Sequence, residues 1–255
     1  MRPKISIITI TFNSEKTLHR AIDSVISQDY SEFEYIIVDG GSKDSTVEII
    51  KSYGEQITKW VSEPDNGISN AFNKGIAMAT GDIIGIINSD DGLEPGALSA
   101  VASAYEEGID VYRGKVLLWK EDSDTKAIET PSMHFDFSGF NKISHQSTFV
   151  TKSAYECYGH FDELCKYVMD YDLLLRYERA GAKFKYIDEV LAFYSLGGLT
   201  FTKMTKTRID EIKYVIHKNG GTKKDLIRYD VFVRCKEIFK RIFPKEVRMK
   251  IRNAN

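Results

Sequence analysis

The sequence predicts an α/β fold, a mostly parallel central sheet flanked by helices, and three observations carry that prediction. Short runs rich in β-branched residues alternate with runs of helical period through about the first 120 residues, the pattern of β-α-β units. The early strands are apolar nearly end to end, as strands covered on both faces are. Most of them close on a cluster of polar residues, and open α/β sheets bind their ligands outside the C-terminal strand ends.

Lys4–Phe12 (KISIITITF) reads as a buried strand. SEKTLHRAIDSVISQ follows, with Leu18, Ile22, Val25 and Ile26 at helical spacing and Ser14 as N-cap. FEYIIVDGGS is a second strand ending in a glycine turn. DSTVEIIKSY is a second helix with Val47, Ile49 and Ile50 inward, and ITKWVSE a third, shorter strand. GISNAFNKGIAMAT is a third helix stopped by Gly81, and DIIGIIN a fourth strand. EPGALSAVASAYEEG has Pro95 near a helix start and Gly108 at its end, as helices prefer. DVYRGKVLLW is a fifth strand. Right-handed crossovers put the helices on both faces. After about residue 120 the pattern loosens. KEDSDTKA is a polar turn, HQSTFVTKSAYECYG an extended segment and short helix, and MDYDLLLRYERAG a helix with Leu174, Leu175 and Tyr177 toward the core. KFKYIDEVLAFYSLGG reads as a strand pair, and Lys203–His217 and Leu226–Phe243 as two further helices.

The 255 residues, 42% hydrophobic and 28% charged, suffice for one large domain with a substantial core. No run of about 18 apolar residues is present, so no helix is expected to span a membrane, and the N-terminal apolar run is too short for a signal peptide. Cys157, Cys165 and Cys235 include no C-x-x-C pair. That argues against a disulfide framework or zinc site and fits a reducing cytosol. The net charge of −2 divides unevenly, +10 over residues 203–255 and −12 over the rest. Such a tail either meets an anionic partner or is a solvated helical surface. No nucleic-acid recognition motif accompanies it.

The sharpest local feature is IIGIINSDDGLEP, Ile83–Pro95, in which an apolar run ends in adjacent carboxylates, Asp90 and Asp91. Together at the tip of a buried strand they repel each other, and water or a cation must relieve that. Mg²⁺ and Mn²⁺ take hard oxygen ligands and often need only one or two protein carboxylates. The other strands also end in polar residues: Thr11 and Asn13, Asp39 to Ser42, and Glu63 with Asp65. Four loops therefore converge on one crevice. Farther along, MDYD sets Asp170 and Asp172 at a helix start, where acidic residues also suit the helix dipole.

Five segments carry a resemblance: ITITFNSEKTLHRAIDSVISQ, YIIVDGGSKDST, SEPDNGISNAFNKGIAMATGDIIGIINSDD, HQSTFVTKSAYECYGHFDE and MDYDLLLRYERAG. In this order, over roughly residues 4–200, the sequence resembles family 2 glycosyltransferases of the GT-A fold. Its look is that of the bacterial colanic-acid and exopolysaccharide type, which share the SLGG ending. The resemblance implies an inverting enzyme that moves a sugar from a nucleotide-diphospho-sugar, a UDP-sugar, to an acceptor hydroxyl with Mn²⁺ or Mg²⁺. It implies a catalytic domain over 1–202, with a nucleotide-sugar half (1–118) and an acceptor half (119–202), then a basic helical extension over 203–255.

The same resemblance assigns Asp91 to the metal and Asp90 to the ribose or the metal. Asn88 stands where many relatives have another aspartate. Asp39 would accept from the uracil ring N–H, a contact suited to a group that only accepts, with Gly40 and Ser42 in the turn beside it. Thr11, Phe12 and Asn13 fall beside the base and ribose, or Phe12 in the core. Asp65, Asn70 and Lys74 fall on the donor side, with Lys74 drawn to the diphosphate or simply solvated. His145 and Gln146 fall near the donor sugar and diphosphate, or His145 in the core. Asp170 aligns with the general base, and Asp172 is the fallback. No histidine stands near Gly197, so no third metal ligand is expected there. Gly197 and Gly198 would instead hinge a loop over the donor.

In the tail, Ile227, Val231, Phe232, Cys235, Ile238, Phe239 and Ile242 alternate with Arg228, Arg234, Lys236, Lys240 and Arg241, a basic amphipathic pattern. It would lie on an anionic bilayer or pack on the domain. Transferases of this type usually act on lipid-linked saccharide acceptors, so the expected location is the cytoplasm, at the inner face of the plasma membrane. Two enzyme alternatives are disfavoured. A nucleotidyltransferase needs a glycine- and arginine-rich phosphate loop after the first strand, and a dinucleotide-binding dehydrogenase needs G-x-G-x-x-G. TFNSEKT is neither. An inactive sugar-nucleotide-binding subunit is the non-enzyme alternative, against which the presence of Asp91 and Asp170 argues.

Overall fold

The computed structural model describes residues 2–138, 141–196 and 206–242. Strands β1 (Ile5–Thr11), β2 (Phe33–Asp39), β3 (Lys59–Ser62) and β4 (Ile83–Asn88) lie parallel in the order β3-β2-β1-β4. Helices α1 (Leu18–Ile26), α2 (Thr46–Ser52) and α3 (Ile68–Met78) connect them. Beyond β4 the sheet turns antiparallel: β8 (Thr148–Thr151) pairs with β4, and β6 (Val111–Lys120) with β8. β9 (Phe184–Ser195) runs parallel to β6. The two-residue β5 (Gly92–Leu93) pairs with β9, and β7 (Thr125–Glu129) with β6. Five more helices complete the described chain: α4 (Ala97–Ala104), α5 (Lys152–Tyr158), α6 (Met169–Arg179), α7 (Lys206–Lys218) and α8 (Lys223–Ile242).

Side chains alternate between the two faces of a strand, and both faces here are apolar. Ile5, Ile7, Tyr35 and Ile37 join one core with α1, α2 and α4. Ile8, Ile36, Val38, Ile84 and Ile86 join the other with α3, α5 and α6. Helix α3 lies close on the sheet because Gly75 has no Cβ: one built there would stand 2.4 Å from Ile8. The tail helices are part of this second core, since Ile212, Val215, Ile216, Tyr229 and Val233 are buried in it.

Three sequence expectations change. FKYIDEVLAFYS is one twelve-residue strand, not a pair. Its pairing with β6 jumps from Ile187 to Val190, so Asp188 and Glu189, which look like a turn, are absorbed as a bulge. Ser14 is not a side-chain cap; its hydroxyl lies 2.7 Å from that of Ser89, tying the β1 loop to the β4 loop. The tail helices begin at Lys206 and Lys223, and Lys203 and Phe243 lie outside the described residues. So does the proposed boundary at 202. Among the described residues no helix is long and apolar enough to cross a membrane.

The strand registers set the loops side by side. Thr11 pairs with Asp39, Asp39 with Ser62, and Ile10 with Asn88. At the opposite end of the sheet the chain is fastened by Glu34, which is 2% exposed. Its Oε1 accepts from Ser6 (2.7 Å) and the Thr80 N–H (2.5 Å), and its Oε2 from Thr80 Oγ1 (2.9 Å) and Lys4 (3.3 Å). Burial alone would raise this carboxyl, but the donors outweigh it and hold it at about 2. Its contribution is therefore complete above the ordinary value of 4.5 and is lost as the pH falls toward 2. Glu34→Gln should cost about 1–3 kcal/mol at pH 7 in urea unfolding. The gap from wild type should narrow below pH 4.5, and an equal gap at pH 7 and pH 3 would contradict this.

Candidate active site

The crevice at the C-terminal ends of the parallel strands is organised by one buried carboxylate. Asp91 is 0% exposed. Its Oδ2 accepts from Gln146 Nε2 (2.7 Å) and Asn88 Nδ2 (3.0 Å), and its Oδ1 from the Ser195 N–H (3.0 Å). Burial, then the charge of Asp90, pushes Asp91 up to about 7 despite those donors. Asp90 is raised too, chiefly by burial. Arg20 from α1 braces the turn, its Nη2 donating to the Asp90 carbonyl (3.0 Å) while its guanidinium lies 4.9 Å from the Trp119 ring centre.

These residues fit a hard divalent cation. Asp91 Oδ1 accepts a single hydrogen bond and retains a lone pair. Two neighbouring carboxylates pushed up by burial, Asp91 also by the charge of Asp90, are groups that a cation would relieve. Among the described residues no cluster of three or more potential ligands exists. A cation would thus rest on Asp90 and Asp91, with the remaining positions left to ligand oxygens.

Gln146 belongs to a 3₁₀ turn, His145–Ser147. Its neighbour His145 faces α6, with Nδ1 3.6 Å from Asp170 Oδ2. His145 Nε2 is buried with no hydrogen-bond partner among the described residues, and the ring lies 5.5 Å from that of Phe72. Asp170 Oδ1 accepts from the Tyr171 N–H (2.8 Å). A pocket of about 320 Å³ opens here, and Asn88, His145, Gln146, Tyr167, Asp170, Tyr194 and Arg208 are in its wall. Burial, followed by the charges of Asp91, Asp90 and Asp170, pushes Tyr194 up to about 12.

The two MDYD carboxylates part company. Asp170 lines the pocket, whereas Asp172 is fully buried away from it. Asp172 accepts from Lys218 (3.0 Å), Asn219 (3.1 Å) and Arg176 (3.5 Å). One helical turn cannot aim residues two apart at the same place, so Asp172 is corrected from fallback base to the anchor of α7.

The nucleotide-side residues also sort themselves. Phe12 is 59% exposed at the strand tip, not in the core. A Cβ on Gly40 would meet Asp65 Oδ2 at 2.5 Å and the Phe12 ring at 3.4 Å, so these three residues gather at one spot. Thr11 Oγ1 is buried without a partner among the described residues. Asp39 turns onto its own loop: Oδ2 accepts from Gly41 N–H (3.1 Å), Ser42 N–H (3.0 Å) and Ser62 Oγ (2.6 Å), and Oδ1 from Ser42 Oγ. Asn13, in left-handed backbone at φ 50°, accepts from the Lys43 N–H (2.8 Å) and locks this loop to β1.

Two assignments shift. Lys74 pairs with Glu63 (2.8 Å) and donates to Pro64 O (2.9 Å), so in this arrangement it is directed to the β3 loop and not to the carboxylate pair. Asn70 donates to Glu163 (3.1 Å). With Ser69 and Asn73 it grips residues 161–165, the loop between α5 and α6. Tyr194, Arg208 and Arg20 are not singled out in the sequence, which marks Asn88 only as standing where many relatives have another aspartate. Gly197 and Gly198 lie outside the described residues.

Residues 6–154 match the profile of glycosyl transferase family 2, and the chain belongs to that family. It is a glycosyltransferase. The hyaluronan synthase of Pasteurella multocida is 28% identical over 95% of this chain and 26% of its own length, and the chondroitin synthase of strain Pm70 matches to the same extent. The chain thus spans about a quarter of these relatives. An uncharacterized glycosyltransferase of Mycobacterium tuberculosis is 31% identical over 68% of each chain. Among solved structures, Staphylococcus aureus TarS 1–349 in complex with UDP-GlcNAc superposes with a TM-score of 0.67 at 18% identity, over 89% of this chain and 71% of that one. The Pyrobaculum calidifontis mannosyltransferase PcManGT with GDP-Man and Mn²⁺ gives 0.61 at 15%, over 100% and 80%. The fold is accordingly GT-A, with the parallel half and mixed second half described above.

Proposed function

We propose that this glycosyltransferase moves a sugar from a nucleotide-diphospho-sugar, a UDP-sugar, to a hydroxyl of a saccharide acceptor, with inversion at the anomeric carbon. One observation carries the reading: Asp170 lines the same pocket as Asn88 and Gln146, the two side chains that hold Asp91. An acceptor there lies between a carboxylate base and the carboxylate turn.

On this reading the base and ribose rest against Phe12, Gly40 and Asp65. Thr11 Oγ1 gains a partner, and Asp39 Oδ1 uses its remaining lone pair for the uracil N–H. Asp90 and Asp91 would hold Mn²⁺ or Mg²⁺, which would supply positive charge to offset that of the diphosphate. Asp170 takes the acceptor hydroxyl proton, with His145 Nδ1 3.6 Å from its Oδ2. The acceptor oxygen bonds to the anomeric carbon as the bond from that carbon to the diphosphate breaks, and UDP leaves. Attack from the face opposite the leaving group inverts the centre. TarS bound to UDP-GlcNAc and PcManGT bound to GDP-Man with Mn²⁺ support the donor and metal by likeness of fold. The two synthases support a role in surface polysaccharide biosynthesis.

The tail extends the reading to a lipid-linked acceptor at the inner face of the cytoplasmic membrane. One side of α8 is buried through Tyr229 and Val233, while Ile227, Val231 and Ile238 are more than half exposed on the other. Exposed Lys223, Lys224, Arg228 and Arg234 accompany them, each worth about 1 kcal/mol near an anionic surface. Helix α7, which α8 packs on, contributes Arg208 and Ile212 to the pocket wall.

Asp170→Asn should lower transfer by about 10²–10⁴-fold with UDP affinity and melting temperature near wild type. Asp172→Asn should lower melting temperature first, because it loosens Lys218. Full turnover by Asp170→Asn removes Asp170 as base. For the tail, Ile227→Glu with Val231→Glu should abolish flotation with phosphatidylglycerol vesicles and leave thermal stability unchanged. Equal flotation of variant and wild type contradicts the membrane role.

A further inference from the structure

Arg113 is the largest side chain buried completely in the described chain. It sits on β6 where alternation calls for an apolar residue facing α6: Val111, two residues earlier, joins that core. A buried cation is costly unless its hydrogen bonds and its charge are both answered. The hydrogen bonds are. Nε donates to Thr148 Oγ1 (3.0 Å), Nη1 to Ser132 O, and Nη2 to Lys142 O (3.4 Å), with the Phe135 ring centre 5.3 Å away. Ser132 and Lys142 also pair with each other, Ser132 N–H to Lys142 O (3.1 Å) and Lys142 N–H to Ser132 Oγ (2.9 Å). They form the neck from which residues 143–146 run into the pocket wall. The charge is answered at longer range. Burial lowers Arg113 to about 10, and the two carboxylates opposing that are Asp170 and Glu129, both in the pocket wall.

We propose that Arg113 is a positioning residue for the acceptor half of the site: one guanidinium fastens the 132/142 neck to β6 and places a fixed positive charge within electrostatic range of Asp170 and Glu129. The neck leads through Ile143 and Ser144 to His145, so fastening it sets the acceptor wall and the imidazole that lies against Asp170. This rests on the glycosyl-transfer reading for its catalytic consequence, but not for its structural one.

The test uses the full chain and two variants, Arg113→Met and Arg113→Lys. Hydrogen exchange is followed over residues 130–144, UDP affinity with Mn²⁺ by calorimetry, and UDP release from UDP-GlcNAc with water as acceptor. In Arg113→Met, exchange in the segment should quicken and kcat fall, each by at least about tenfold, with UDP affinity and the KM for UDP-GlcNAc within about twofold of wild type. Arg113→Lys keeps the charge but cannot span three acceptors. It should recover part of kcat without recovering the protection. Wild-type exchange in Arg113→Met, or loss of UDP affinity in step with kcat, overturns the proposal. If Arg113→Met does not fold, wild-type exchange and kcat in Arg113→Lys overturn it instead. Absence of UDP release by the wild type counts against the sugar-nucleotide reading, and the exchange result then decides the role of Arg113.

Discussion

The structure depends on a carboxylate kept inside the protein. Asp91 draws a donor from each of three chain segments: Asn88 at the tip of β4, Gln146 in the 3₁₀ turn, and the Ser195 N–H at the end of β9. Each hydrogen bond to an ionised acceptor is worth more than a neutral one, and none of the three segments is a sequence neighbour of another. The parallel half of the sheet is thereby fixed to the mixed half at the crevice itself. Because His145 precedes Gln146, the same fastening brings an imidazole to Asp170.

A second consequence is the division between neighbouring acids. Asp90 and Asp91 differ in burial, and so do Asp170 and Asp172; in each pair the fully buried member is the more densely hydrogen-bonded. For α6 this puts Asp170 in the pocket wall and Asp172 in the packing. Asp172 and Asp162 share Lys218 and hold α7 in place, and α7 in turn supplies pocket wall and a platform for α8.

The parallel half of the fold was legible because Ile, Val and Thr runs bounded by Gly and Asp obey simple periodicity, and the strand tips announced the crevice. Asp170 was preferred over Asp172 through the resemblance alone, since local pattern does not separate them. Both suit a helix start, and only Lys218, 46 residues away, shows which one faces inward. Asn70 and Lys74 look like ligand contacts on a helix near phosphate, but Glu163 and Glu63 claim them through contacts no local pattern encodes. Arg113 left a trace, a basic residue inside an otherwise apolar strand. Its partners Ser132 and Lys142 come from a polar stretch that periodicity does not read. The single strand β9 was missed because a bulge and a turn use the same Asp-Glu chemistry.

The central claim is that the β4 tip is built for a cation and a nucleotide together. Calorimetric titration of UDP into the protein, with Mn²⁺ and again with EDTA, tests it directly. The account predicts binding that weakens by at least about tenfold, or roughly 1.4 kcal/mol, when the metal is withdrawn, and the same loss in Asp91→Asn with Mn²⁺ present. Equal UDP affinity with and without the metal, or no binding in either condition, would contradict it.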